Sequence, residues 1–399
     1  MTTSVAVVVP TRNRADLAIA AIHSLLAIRQ SRLRHVIVSN NSSEPHHVQK
    51  LEQFCRRSND ARLLHVRPPR ALGMAEHWDW AIEEALVRSD ATHIALHYDR
   101  RISRPDLAQV LDLSARWADV PITYALDVVY PLNGRFFVQQ MPWSGAVYEI
   151  RTARALELAA RGLLTDLWQA FPVLVNCVTP RTVIERVRAR FGNVCNSTSP
   201  ESCFGLRFAA VEERYLHFDK AAGIHYAMGR SNGMGYVRQD GSATFADFTK
   251  LWGDRPWLDA APLPGVSLGQ NSFYHEYALV RRQCGDAKLP PIEMKGYLED
   301  LARGLNWIAE PAKRAEMRNL LIQHGWREQN ADVPEKRADT LRGKFARFLI
   351  DHLPLARRSA ASGYSRETTA LHYAQKHPIP PVAHNDFIAP LQPLRVETE

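Results

Sequence analysis

The run Val5-Ala-Val-Val-Val9 is apolar at every position, ends in Pro10, and opens straight onto the polar loop Thr11-Arg-Asn-Arg14. Continuous rather than alternating apolarity marks a strand covered on both faces. The pattern recurs at His35-Val-Ile-Val-Ser39, closed by the polar stretch Asn40-Asn-Ser-Ser-Glu44. Between the two runs, Ile19, Ile22, His23, Leu25 and Leu26 fall at helical spacing in a helix that starts at about Asp16. A second unit follows: a helix over about Val48 to Arg57, a strand over Arg62 to Val66, a helix over about Met74 to Val87 and a strand over His93 to Leu96. Such alternation predicts an α/β fold, with a parallel sheet and covering helices. Ligands of such sheets sit beyond the carboxyl ends of the strands, so the loops after Val9, Val38 and Leu96 are expected to line one crevice.

What those loops lack excludes several chemistries. The loop after the first strand has no glycine, so a dinucleotide-binding G-x-G-x-x-G is missing there. Gly233-Met-Gly235 has Arg238 where a third glycine belongs, and no phosphate-binding G-x-x-x-x-G-K-[ST] segment occurs. H-E-x-x-H and EF-hand segments are also missing, which removes the basis for zinc hydrolysis and calcium sensing. Five cysteines without a C-x-x-C pair disfavour a disulfide framework and a thiolate metal site, and fit a reducing cytoplasm. The N-terminus lacks the pattern of a secretion signal, and no apolar stretch approaches a membrane-spanning helix. Fifty Lys and Arg against 42 Asp and Glu leave a net charge of +8, which favours anionic partners. Nothing beyond charge points to nucleic acid.

Four segments in order, Val7-Val-Val-Pro-Thr-Arg-Asn-Arg14, Val36-Ile-Val-Ser-Asn-Asn-Ser-Ser43, Leu72-Gly73 and Leu96-His-Tyr-Asp99, resemble the successive signatures of a GT-A glycosyltransferase of family 2. The resemblance is fullest over residues 4 to 110, looser from about 120 to 240, and ends there. It implies a Rossmann-like GT-A fold and a nucleotide-diphosphate sugar donor. On the positions that match, Pro10, Thr11 and Arg14 after the first strand and Asn40 after the second cradle the donor's base and ribose. Gly73 opens the turn into a helix whose first turn, with His77, meets the diphosphate sugar, as helix N-termini favour anions. Gly73 as a plain turn, with Trp78, Ile82 and Leu86 as a buried stripe, is the structural alternative.

Two departures from the family matter. Asn40 stands where the family places an aspartate, and its amide oxygen is expected to replace the carboxylate as the acceptor that reads the base. The family's D-x-D appears as His97-Tyr98-Asp99 followed by Arg100 and Arg101, so one carboxylate remains. Asp99 is then the expected ligand of Mg²⁺ or Mn²⁺, with His97 two residues earlier on the same side of an extended chain. The alternative is that Arg100 or Arg101 neutralises the leaving diphosphate directly. For the acceptor side, Asn196-Ser-Thr-Ser-Pro-Glu201 resembles the segment carrying the family's catalytic base, which makes Glu201 the expected base and Asp127 and Asp166 weaker candidates. Ser199 and Pro200 also suit a helix start, with Glu201 favouring its dipole.

The expected organisation is a glycosyltransferase domain over residues 1 to 240, its donor half to about 110, then a helical and loop extension over 241 to 332. Residues 333 to 399 form a basic amphipathic stretch and a proline-rich tail. Asn133-Gly134 signals a hairpin, Ser231-Asn-Gly233 resembles a family loop, and His217 and His225 read as core or surface histidines. Between Glu335 and Arg358 seven basic residues face three acids among apolar residues at helical spacing. That pattern fits peripheral contact with a membrane, or a helix packed on the protein itself. The reading is an inverting transferase that moves a sugar to a hydroxyl of a surface glycan or lipid-linked acceptor, in the cytoplasm or at the inner face of the membrane. A non-catalytic sugar-nucleotide-binding or assembly subunit is the alternative that the reduced acidic motif raises.

Overall fold

The computed structural model describes residues 2–132, 135–139, 144–163, 170–238, 243–252, 257–285, 288–308, 310–327, 365–376 and 393–394. The predicted units appear as β1 (Val5–Thr11), α1 (Ala15–Leu26), β2 (Leu33–Asn40), α2 (Pro45–Arg57), β3 (Leu63–Val66), α3 (Met74–Arg88) and β4 (His93–Leu96). β1 pairs in parallel with β2 and β4, and β2 with β3. This is the α/β fold class expected from the sequence.

Both faces of β1 are covered, as its pattern requires. Val5, Val7 and Val9 pack with α1 residues Ala18, Ile22 and Leu25 in one cluster. Ala6 and Val8 pack on the opposite face with Trp78, Ile82 and Leu86 of α3. Successive side chains of a strand point to opposite faces, so one apolar run feeds two helical layers.

Beyond β4 the chain continues through β5 (Arg101–Ser103), α4 (Leu107–Arg116), β6 (Ile122–Leu132), β7 (Arg135–Gln139), β8 (Val147–Arg151), α5 (Thr152–Ala160), β9 (Cys177–Pro180) and β10 (Arg214–His225). The sheet runs β3-β2-β1-β4-β9-β6-β10-β8, with β11 (Pro393–Leu394) at its end. β9 is antiparallel to both β4 and β6, while β6 and β10 are parallel. The segments Tyr215-Leu-His-Phe-Asp219 and Gly223-Ile-His225, which carry His217 and His225, are one strand whose register on β6 shifts between Phe218 and Gly223.

Helices Arg181–Phe191 and Pro200–Val211 precede β10, and helices Gly269–Cys284, Met294–Gly304 and Pro311–Gln323 follow it. These later helices share one core with the first half of the chain, because Phe273, Tyr274, Leu301 and Leu321 lie in the same apolar cluster as Val8 and Trp78. Gly162 and Gly296 meet backbone to backbone, where a Cβ on Gly296 would stand 2.1 Å from the Arg161 carbonyl oxygen. A helix Glu367–Lys376 lies against β6 and β7. The Asn133-Gly134 turn, Asp166, the basic stretch 335–358 and most of the proline-rich tail lie outside the described residues.

Candidate active site

The loop after β1 is fastened to the loop after β2. Asn13 adopts φ 52°, a left-handed conformation that asparagine tolerates. Its Oδ1 accepts the backbone N–H groups of Ser43 at 2.9 Å and Glu44 at 3.1 Å. Arg12 donates to the Asn41 carbonyl at 2.9 Å and pairs with Asp247 at 2.7 Å, on the helix Ala243–Trp252. Asn41 in turn exchanges two hydrogen bonds with the backbone of Leu72, just ahead of Gly73. Gly73 has β-region angles, φ −63° and ψ 160°, and its carbonyl accepts the His77 N–H at 2.8 Å, starting α3.

Beyond these strand ends lies a cleft of about 130 Å³. Pro10 and Arg14 line it from β1 and its loop, Tyr98, Asp99 and Arg100 from the end of β4, and Met74 and Trp78 from the start of α3. The opposite wall brings Thr198 to Glu201, the loop Ser231-Asn-Gly233, Tyr236, Trp257 and Ser272. Four residues expected from the sequence, Pro10, Arg14, Asp99 and Glu201, therefore meet in one place. Thr11, Asn40, Gly73, His77 and His97 are not among its lining residues.

Each of those five has a defined setting. Thr11 Oγ1 donates to Asp99 Oδ2 at 2.8 Å. Asn40 is fully buried, and its Oδ1 accepts the Ser42 N–H at 3.1 Å. The group of Asn40 left without a partner among the described residues is Nδ2, a donor, whereas the sequence reading relied on the oxygen as acceptor. His77 Nε2 is hydrogen-bonded to Ser39 Oγ at 2.8 Å, and burial, aided by Arg12 and Arg14, lowers its pKa to about 3, so it is a neutral core histidine. His97 has both ring nitrogens engaged, Nδ1 with the Tyr98 carbonyl at 2.9 Å and Nε2 with Ser103 Oγ at 3.0 Å. Burial and the Arg101 guanidinium hold His97 well below the usual histidine range.

One arginine, Arg14, reaches the carboxylate of the motif, and two more, Arg100 and Arg101, stand against the ring of Tyr98. Arg14 Nε lies 2.9 Å from Asp99 Oδ2, the oxygen that also receives Thr11. Arg100 stands over the Tyr98 ring, 4.6 Å from its centroid, and its Nη1 contacts His225 Nε2 and Met228 Sδ, each at 3.3 Å. Arg101 is fully buried, lies 5.2 Å from the same ring, and donates to the Val175 carbonyl and to Tyr124 Oη. The face of Tyr98, itself stacked on His225 at 4.6 Å, supplies the negative potential that a carboxylate would otherwise provide. Among the described residues, Arg100 and Arg101 form no ion pair with a carboxylate.

As a divalent-cation site this donor set does not fit. Asp99 is the single carboxylate at the position, its Oδ2 is already shared by a hydroxyl and a guanidinium, and a cation bound there would stand against the positive charge of Arg14. His97 has no free nitrogen to add. Among the described residues, the cluster of metal-ligand type is Glu44, His46 and His47 at the start of α2, away from the cleft lining.

Glu201 sits in the first turn of the helix Pro200–Val211 and has no cation beside it. Burial alone pushes its carboxyl up to about 8. The turn that presents it is held from behind by a residue outside every motif: Glu276, on the helix Gly269–Cys284, accepts the Ser199 N–H at 2.8 Å. Asp127 is spent in a buried ion pair with Arg104 and does not line the cleft.

The segment leading into the loop Ser231-Asn-Gly233 is fixed at three points. Glu367 Oε1 accepts the N–H of Ala227, which has φ 53°, at 2.6 Å. Arg14 donates to the Arg230 carbonyl at 2.7 Å, and Arg230 pairs with Asp16 at 2.7 Å. Tyr98, Trp257 and Glu276 had no site role in the sequence reading; only Tyr98, inside the His97-Tyr98-Asp99 motif, carried a local signal.

Residues 6–95 match the sequence profile of the family described as Glycosyl transferase family 2. No curated protein matches the chain. Among solved structures, S. aureus TarS aligns at 11% identity over 80% of this chain and 52% of its own, with a TM-score of 0.42. The chain thus spans about half the length of that protein. TarS 1-349 in complex with UDP-GlcNAc aligns at 13% identity over 80% of this chain and 86% of its own, with a TM-score of 0.43. No described helix is long and apolar enough to cross a membrane. The family match covers about the first quarter of the chain.

Proposed function

We propose that this chain, whose residues 6–95 match the family 2 glycosyltransferase profile, moves a sugar from a nucleotide-diphosphate donor to a hydroxyl acceptor with inversion at the anomeric carbon. The observation that carries the reading is one cleft holding an unpaired carboxyl, Glu201, together with the cationic pair Arg14 and Arg100. Glu201 takes the proton of the acceptor hydroxyl, the acceptor oxygen bonds to the anomeric carbon, and the bond from that carbon to the diphosphate breaks. The electron pair leaves on the diphosphate oxygen. Attack and departure on opposite faces invert the centre.

Asp99 acts as a positioning residue in this scheme, because its carboxylate fixes Arg14 and Thr11. Pro10 borders the cleft beside Arg14, and the free Nδ2 of Asn40 offers a hydrogen bond to a carbonyl of the base. Gly73 and His77 shape the start of α3 from outside the cleft. The acceptor we favour is a surface glycan or lipid-linked saccharide, with residues 335–358 as a basic membrane-contacting segment; this part rests on the resemblance and on charge pattern alone. The test is a panel of nucleotide sugars, beginning with UDP-GlcNAc, incubated with saccharide acceptors. Release of nucleoside diphosphate together with an inverted anomeric proton coupling in the product supports the reading. Donor binding without transfer to any acceptor favours a non-catalytic sugar-nucleotide-binding subunit.

A further inference from the structure

We propose that the departing diphosphate is met by the guanidinium groups of Arg14 and Arg100, and that donor binding and transfer proceed without a divalent cation. The inference rests on the donor reading above and concerns the charge balance of the same cleft. A departing diphosphate gains negative charge as the bond to the anomeric carbon breaks, and something fixed must receive it. Where a paired-carboxylate motif stands, a bridging cation does this. Here one carboxylate of that motif is replaced by His97, whose two nitrogens are closed off inside the protein. The other, Asp99, already holds a guanidinium at 2.9 Å. A second cation brought to Asp99 would face Arg14 at contact distance and Arg100 beside it.

Arg100 fits the task for a separate reason. It lines the cleft, its direct contacts are the neutral groups of Tyr98, His225 and Met228, and Asp99 acts on its charge without an ion pair between the two. Burial and the neighbouring Arg14 bring its pKa down to about 9, which leaves it protonated at neutral pH. His225, pushed well below its ordinary range by burial and by Arg100, stays neutral and accepts the Arg100 N–H. The side chain is therefore held in place by groups that do not compete for its charge, a setting suited to an anion with several oxygens.

The experiment measures binding of UDP, GDP, ADP and CDP to the full chain by titration calorimetry, in EDTA and in excess Mn²⁺. We expect at least one of them to bind in EDTA, with an affinity that Mn²⁺ changes less than about threefold, well under the tenfold that corresponds to 1.4 kcal/mol. Arg100→Gln should weaken that diphosphate about ten- to a hundredfold while changing the matching monophosphate much less, as expected for lost hydrogen bonds between charged groups. Arg100→Lys, which keeps the charge, should recover part of the loss, and thermal melts of both variants confirm that they fold. A diphosphate that binds only with Mn²⁺, and loses that dependence in Asp99→Asn, overturns this inference and leaves the glycosyltransferase reading standing. If no diphosphate binds under either condition, the donor reading falls and this inference falls with it.

Discussion

Ser199 donates its backbone N–H to Glu276 Oε1 at 2.8 Å, two residues ahead of Glu201, so a carboxyl from the second half of the chain fixes the turn that presents the proposed base. Glu276 is itself buried, and its carboxyl is pushed up to about 7, with burial the main cause. Replacing it by alanine leaves the Ser199 N–H unmet. We expect Glu276→Ala to cost about 1 to 3 kcal/mol in urea unfolding. It should also lower kcat with little change in donor affinity, whereas Glu276→Gln, which keeps an acceptor oxygen, should restore most of both. Loss of donor affinity alone would contradict a positioning role.

Glu201→Gln preserves shape and hydrogen bonding but accepts no proton. General base catalysis contributes about 10² to 10⁴-fold, and kcat should fall by that order while nucleoside diphosphate affinity stays near wild type. Turnover and affinity measured on the same variant separate this from a helix-start role, which predicts lost stability and near-normal chemistry.

The pH dependence has a definite sign. A base must be ionised to work, so kcat should rise with pH through about 8, the value to which burial raises Glu201. Stability runs the other way. Between the ordinary carboxyl value of 4.5 and about 8 the unfolded chain ionises this group while the folded chain keeps it protonated. The folded state then binds more protons, and stability falls as pH rises through that window. Glu276 adds to the same trend between 4.5 and about 7. Activity profiles and urea midpoints of wild type and Glu201→Gln over this range check both directions, and the variant should lose the Glu201 part of each.

Gly296→Ala should be among the most damaging single-methyl changes in the chain. Its added Cβ would stand 2.1 Å from the Arg161 carbonyl oxygen, and backbone rather than a flexible side chain must move. Overpacking of this kind costs typically about 1 to 3 kcal/mol, and thermal unfolding of the variant measures it.

The first four strands and three helices were legible because their signals are local. Continuous apolar runs and helical spacing placed β1, β2, β4 and α3 within a few residues of their observed bounds. β9 was not, since Cys177–Pro180 is four residues long and earns its place by pairing with strands 50 to 90 positions away. On the donor side the loops were found, but the partners were not. Nothing in the spacing of His97 says that Ser103 closes one of its nitrogens, or that Arg14 reaches Asp99 from the loop after β1. The far wall was hidden for the same reason: Glu201 was read from its own segment, while Trp257 comes to the wall from a loop and Ser272 and Glu276 from the helix Gly269–Cys284, in a stretch that the periodicity showed only as an extension.

The contact between Glu367 and Ala227 spans 140 positions of sequence. At a synthesis rate of about 5 to 20 residues per second, a ribosome needs roughly 7 to 28 s to travel from one to the other. When that interval begins, strands β1 to β10 have been made, while the Ala227 N–H, just ahead of the cleft loop, has no acceptor from Glu367. The nascent protein therefore acquires this fastening only once residue 367 has been made, and a chain cut short before it leaves the ribosome without it.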